Sequence, residues 1–194
     1  GDFSSAAFFL TAGLLLKDSE VEVKNVGLNI RRIGFLQVLS KMGAKFSIKN
    51  LPPLCNEPVG DVIIKSSHLH GIAFDPQIIP LMIDELPLLA LVATQSEGKT
   101  VISGAEELRV KESDRIKTVV EGLVKMGAKI DEMPDGMIIE GPVKLKGAKV
   151  ESYKDHRIAM ALAVAGLVAE GETVIEDSEC VDISFPGFWE MLHG

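Results

Sequence analysis

The chain has 194 residues, 46% hydrophobic and 25% charged, which is ample material for a packed core and excludes an intrinsically disordered segment. Its formal net charge of −8 leaves no basic face for a nucleic-acid partner, so none is expected. The apolar runs at 6–16 and 158–169 are shorter than the ~20 residues of a membrane span, so no membrane association is expected. Two cysteines, Cys55 and Cys180, form no Cys-x-x-Cys pair and read as reduced thiols, which points to the cytoplasm. The chain opens at Gly1 inside a motif and is expected to be a fragment, or one domain of a larger protein.

In chain order, the apolar stretch Ala6 to Leu16 predicts a helix over about 4–16. It has no polar face, the pattern of a buried helix, and Asp2, Ser4 and Ser5 can cap it. Val21-Glu22-Val23 opens an alternating strand at 21–26. An amphipathic helix is predicted over 31–42, ending at Gly43, with strands near 45–49 and 61–65. The same order then returns as a helix at 85–95, a strand at 99–103, a helix at 113–126 and strands near 128–132 and 136–140. A third unit has a helix at 156–169, a strand at 172–176 and a short helix near 186–192.

Lys-Met-Gly-Ala-Lys occurs at 41–45 and unchanged at 125–129, and Thr100-Val101-Ile102 matches Thr173-Val174-Ile175. Three copies of one unit are therefore expected, at about 1–66, 67–142 and 143–194 of a single domain. Three apolar helices, surrounded by strands and amphipathic helices, give a pseudo-threefold α/β architecture.

The chemistry concentrates at the starts of three helices. Ahead of the helix at 113–126 stands Leu108-Arg-Val-Lys-Glu-Ser-Asp-Arg115, and Ile116, Val119, Val120, Leu123 and Val124 commit one helical face to a core. Ser113 or Asp114 can cap it, and Gly127 sits where a left-handed C-terminal cap belongs. Arg109, Lys111 and Arg115 crowd an end where the helix dipole disfavours cations by about 0.3–1 kcal/mol each. Charge runs are ordinarily solvated helix starts, and the other reading of this placement is an anion held among them, with which Glu112 within the cluster can exchange a proton. Asp84 and Glu85 open the second apolar helix, with Pro87 in its first turn. Asp155, His156 and Arg157 open the third, where Arg157 needs either Asp155 or an anion as partner. Arg31 and Arg32 read as surface-structural.

Other motifs fail. Gly98-Lys99-Thr100 lacks the preceding glycine of a phosphate-binding loop and follows a helix instead of leading into one. His68 and His70 can face the same way on a strand, but no Cys or further His completes a set, so no metal is expected.

Leu108 to Arg115 resembles the signature of the 5-enolpyruvylshikimate-3-phosphate synthase family (3-phosphoshikimate 1-carboxyvinyltransferases), in its C-terminal portion. Gly1-Asp-Phe-Ser-Ser-Ala-Ala-Phe-Phe9, Ile83-Asp-Glu-Leu-Pro87 and Lys154-Asp-His-Arg-Ile-Ala-Met-Ala161 agree with it in the family's order, across nearly the whole chain. The resemblance implies an inside-out α/β barrel of three βαβαββ repeats, one of two such domains, with the partner domain absent from this chain.

It further implies transfer of the enolpyruvyl group of phosphoenolpyruvate to the 5-hydroxyl of shikimate 3-phosphate, releasing phosphate, in aromatic amino-acid biosynthesis. No metal or organic cofactor is implied. Carried over by position, Glu112 is the proton-relay acid and Asp84 the hydroxyl base or anchor. Lys111 touches shikimate 3-phosphate, Arg115 and Arg157 hold phosphoenolpyruvate, and His156 is a further candidate. The chain is expected to supply half an active site, to be inactive alone, and to belong to an enzyme that is monomeric at full length. Two positions depart from many relatives: Glu107 replaces an Asn and Ile183 a Lys. The alternatives are a UDP-N-acetylglucosamine enolpyruvyl transferase, of similar fold and chemistry, and a non-catalytic anion-binding module of the same fold.

Overall fold

The computed structural model describes residues 1–193. Its first unit runs α1 (Phe3–Leu15), β1 (Glu20–Gly27), α2 (Gly34–Lys41), β2 (Lys45–Leu54) and β3 (Glu57–Lys65). The second runs α3 (Leu86–Thr94), β4 (Gly98–Ile102), α4 (Arg115–Lys125), β5 (Lys129–Met133) and β6 (Gly136–Gly141). The third is abbreviated: β7 (Lys149–Glu151), α5 (His156–Val168) and β8 (Val174–Glu176) are followed by two short helices, α6 (Cys180–Ser184) and α7 (Phe188–His193).

Each of the first two units closes as an antiparallel sheet whose last strand lies in the middle, β1-β3-β2 and β4-β6-β5. In the third, β7 lies parallel to β8. The segment at His70–Ala73 does for β4 what β7 does for β8, pairing in parallel at Ala73 with Val101. The equivalence extends to single atoms. A side chain at Gly71 would strike the backbone of Lys99, and one at Gly147 the backbone of Glu172. The hydroxyls of Thr100, in β4, and Thr173, at the matching position just before β8, are both buried without a hydrogen-bond partner among the described residues.

α1, α3 and α5 pack on one another at the centre. Every residue of α3 is buried, as is every residue of α5 from Ile158 to Ala165. With no polar face to present to water, they can only be the core, and the sheets and the amphipathic α2 and α4 form the outer layer. This is the pseudo-threefold α/β architecture expected from the repeats, and the inside-out α/β barrel that the resemblance implies. α4 lies against α5 through Gly122, where a Cβ would come within 2.7 Å of Leu162 Cδ2. Gly127 ends the helix at φ +96°, a left-handed conformation that a residue without Cβ adopts at no steric cost.

Several local expectations need correction. Val124 is 45% exposed and not part of the core. At 100° per residue it lies about 80° around the helix from Ile116, on the edge of the apolar stripe. The second helix starts at Gly34, because Asn29 to Arg32 form a turn in which Asn29 Oδ1 accepts the Arg31 N–H. β2 and β3 continue past the predicted strands to meet at Cys55 and Asn56, both with positive φ. The helix predicted near 186–192 is α7, and a further short helix that was not expected, α6, precedes it across Phe185-Pro186-Gly187. Among the described residues no helix is long and apolar enough to cross a membrane.

Candidate active site

Asp114, not Ser113, caps α4: its Oδ1 accepts the Lys117 N–H at 3.0 Å. That leaves Ser113 free to donate to Asp155 Oδ2 at 3.0 Å. Arg115, the first residue of α4, is directed into the core and is 1% exposed. A guanidinium this deep must have all its faces paired, and it does. Nε donates to Asp155 Oδ2 at 2.8 Å, Nη1 to Asp84 Oδ1 at 3.2 Å and Nη2 to Glu112 Oε2 at 2.5 Å. Arg157, in the first turn of α5, approaches the other oxygen of Asp84 at 3.3 Å.

Of the two partners the sequence offered Arg157, Asp155 or an anion, its side chain does not take Asp155. Asp155 accepts only the backbone N–H of Arg157 and gives its carboxylate to Arg115, while the Arg157 side chain goes to Asp84. The reason is helix geometry: a carboxylate capping its own helix is turned inward toward the first free N–H groups. Burial alone would raise the Asp155 pKa. The Arg115 hydrogen bonds and charge, with those of Ser113 and the Arg157 N–H, outweigh it and hold the carboxyl below its ordinary value.

Arg109 leaves the cationic cluster altogether. The segment Glu106–Val110 coils as a 3₁₀ turn, and the Arg109 guanidinium folds back to Asp114, Glu132 and the carbonyls of Met133 and Pro134. Lys111 is bonded to Glu107, the position of departure noted above, and makes no ion pair with the Asp84–Arg115 cluster. Of the sequence candidates, the structure thus gathers Asp84 and Glu112 on the Arg115 guanidinium, joins Arg157 to them through Asp84, and leaves Lys111 on a separate partner. His156 is half-buried; burial first, and then the charge of Arg157, push its pKa below the usual value, so the ring is neutral at pH 7.

The sequence places Glu85 only at the start of the second apolar helix. It is buried, and Ser4 donates to its Oε1 at 2.5 Å, tying the tip of α1 to the tip of α3. Burial raises its pKa; the Ser4 hydrogen bond and the charge of Arg157 offset that only in part. With the Asp84–Arg157 contact, this joins three helix N-termini at one mouth, and their partial positive charges favour an anion there. A polar recess lined by Ser4, Arg31, Arg32, Asp84 and Glu85 opens beside it. Arg32 lies 3.5 Å from Asp2.

Asp84 and Glu112, 28 positions apart, are held by the two terminal nitrogens of one side chain, so two carboxylates flank a single cationic centre. Two guanidiniums face three carboxylates, which leaves the cluster short of positive charge for a multiply charged anion.

The model of the family described as EPSP synthase (3-phosphoshikimate 1-carboxyvinyltransferase) matches residues 1–192. The chain belongs to the EPSP synthase family. A 3-phosphoshikimate 1-carboxyvinyltransferase of Thermodesulfovibrio yellowstonii is 58% identical over 98% of the chain, and one of Endomicrobium trichonymphae 51% identical over all of it. In each case the match covers 45% of the relative, so the chain spans under half the length of these relatives. An EPSP synthase structure from Acinetobacter baumannii superposes with a TM-score of 0.95 at 42% identity, over 99% of this chain and 45% of that one. An enolpyruvyl transferase from Streptomyces tendae, 18% identical with a TM-score of 0.74, shares the fold.

Proposed function

We propose that this chain forms half of the active site of a 3-phosphoshikimate 1-carboxyvinyltransferase, the rest coming from a partner domain of the same enzyme. The reaction joins the enolpyruvyl group of phosphoenolpyruvate to the 5-hydroxyl of shikimate 3-phosphate and releases inorganic phosphate. Membership of the EPSP synthase family supports the reading, and so does the shared length: the relatives have as much chain again in which to carry the missing cations.

The observation that carries it is the placement of Asp84 and Glu112 on the two arms of Arg115. Enolpyruvyl transfer needs a proton delivered to the alkene carbon and later recovered, a base or anchor for the attacking hydroxyl, and cations that bind the donor. Glu112, the more exposed of the two acids, is the relay. Asp84, fixed by Arg115 on one oxygen and Arg157 on the other, receives the hydroxyl. When the carboxylate of phosphoenolpyruvate reaches Arg115, it competes with Glu112 for Nη2. Glu112 then leaves the guanidinium and turns to the substrate, so donor binding itself arms the relay. Lys111 exchanges Glu107 for the phosphate of the acceptor.

The deficit of positive charge in this cluster is the physical argument for a partner half. A donor with two anionic groups needs further cations, and the half of the enzyme outside this chain supplies them. The test is phosphate release from phosphoenolpyruvate and shikimate 3-phosphate. The full-length enzyme turns over and this chain alone does not; substantial turnover by the chain alone overturns the half-site reading. Phosphate release that demands UDP-N-acetylglucosamine in place of shikimate 3-phosphate overturns the choice of acceptor.

A further inference from the structure

His68 and His70 flank Leu69, which is buried at 2% exposure and anchors the segment in the core. Alternation along an extended chain puts both imidazoles on the outer face. Their third neighbour comes from beyond α3. Glu97 pairs with His70 in a parallel bridge; its N–H donates to Leu69 O and its carbonyl accepts from Gly71 N–H, each at 2.8 Å. His70 N–H in turn donates to Met42 O at 2.9 Å, so the platform is held from both sides. Glu97 Oε2 lies 3.0 Å from His68 Nε2 and 3.8 Å from His70 Nδ1. The two rings pack edge to face with centroids 4.9 Å apart, each limiting the other's rotation.

The third repeat provides an internal comparison. Its matching bridge joins Lys146 to Glu170, and Lys144 there forms an ion pair with Glu170 at 2.5 Å. The glutamate is thus a common feature of the fold, neutralised by lysine in one unit. The second unit has imidazoles where the third has lysines. An imidazole has a lone pair to offer a metal, which an ammonium lacks.

We propose that His68, His70 and Glu97 form a surface site for one late first-row divalent cation, of which zinc is the representative. Donor atoms about 2.0–2.1 Å from a tetrahedral zinc lie about 3.4 Å from one another. The two observed carboxylate–imidazole separations bracket that value and all three donor atoms lie within 4.8 Å of one another, so rotations of these exposed side chains close the shell, and water completes it. Two nitrogen donors favour zinc, nickel or copper(II) over magnesium or calcium, which ask for oxygen alone. The sequence showed only the two histidines; the carboxylate arrives through the parallel bridge. The site lies at the far end of the central helices from the Arg115 cluster. Ser67 N–H bonds to Leu14 O at the end of α1, and Glu97 follows the last turn of α3. Enolpyruvyl transfer does not depend on it.

The test is calorimetric titration of zinc chloride into the full-length protein free of any histidine tag. Its control is the His68→Lys/His70→Lys variant, which rebuilds the ion pair of the third unit. The unsubstituted protein takes up one more equivalent than the variant, and Glu97→Gln weakens that equivalent at least about tenfold. Equal uptake by the two proteins overturns the proposal. Copper(II) resonance on the unsubstituted protein reads the site with no variant: coupling to two imidazole nitrogens supports it, and no such coupling contradicts it.

Discussion

Asp155 Oδ2 accepts the Nε–H of Arg115 at 2.8 Å, and neither side chain reaches solvent. This pair fixes the guanidinium from behind while its two terminal nitrogens face the mouth. The carboxylate also receives Ser113 and the Arg157 N–H, so one side chain aligns the starts of α4 and α5.

Asp155→Ala leaves a buried guanidinium without its main partner and is expected to cost about 3–5 kcal/mol, measured as the urea unfolding midpoint at neutral pH. The pH dependence has a definite sign. The folded pKa of Asp155 lies below its ordinary value of about 3.9, so its contribution is complete above that value. It is lost as pH falls through the folded value. The difference between the two proteins is therefore constant at neutral pH and shrinks in strong acid.

Glu85 has the opposite linkage. Its folded pKa is raised by burial, so between the ordinary value and the folded one the native state holds a proton that the unfolded chain releases. Stability then falls as pH rises from the ordinary glutamate value through the folded one. Glu85→Gln keeps an acceptor for Ser4 and removes the titration. Thermal midpoints between pH 4 and 8 should fall with pH less steeply in the variant. Parallel curves would show that Glu85 is not desolvated as described.

Gly122→Ala places a methyl 2.7 Å from Leu162 Cδ2. Overpacking of about 1–3 kcal/mol exceeds or matches the ~1 kcal/mol of helix propensity gained, so the variant is no more stable than the parent and up to ~2 kcal/mol weaker. Adding Leu162→Ala relieves the clash, and the double variant is more stable than the sum of the two single changes.

Glu107 holds Lys111 in a partly exposed pair four residues apart. Glu107→Asn should change unfolding free energy by under about 1 kcal/mol. Because it frees the ammonium, the KM for shikimate 3-phosphate should fall in the full-length enzyme. An unchanged KM would mean that Lys111 does not meet the acceptor.

Much of the architecture was legible because its signals are local. Ala6 to Leu16, Leu86 to Ala93 and Ile158 to Ala169 lack a polar face and had to be central, and Lys-Met-Gly-Ala-Lys marks two units by its repetition. Hidden were relationships decided by which way a capping side chain turns. Asp155 is adjacent to His156 and two positions from Arg157, yet its carboxylate belongs to an arginine 40 positions away. Arg109 and Arg115 look alike in the sequence, but a 3₁₀ turn sends the first to Glu132 and the helix start sends the second inward. The short strand at Lys149–Glu151 carries a single buried side chain, Val150, too little pattern to recognise. Glu85 gave no sign of its burial, since acids at helix starts are ordinarily solvated.

The most direct test is Glu112→Gln in the full-length enzyme, with phosphate release and the binding of both substrates measured together. Loss of turnover by about 10²–10⁴-fold, with binding largely retained, is the expected result. Turnover equal to that of the parent would contradict the assignment of Glu112 as the proton relay, and with it the account of the Arg115 cluster as a catalytic centre.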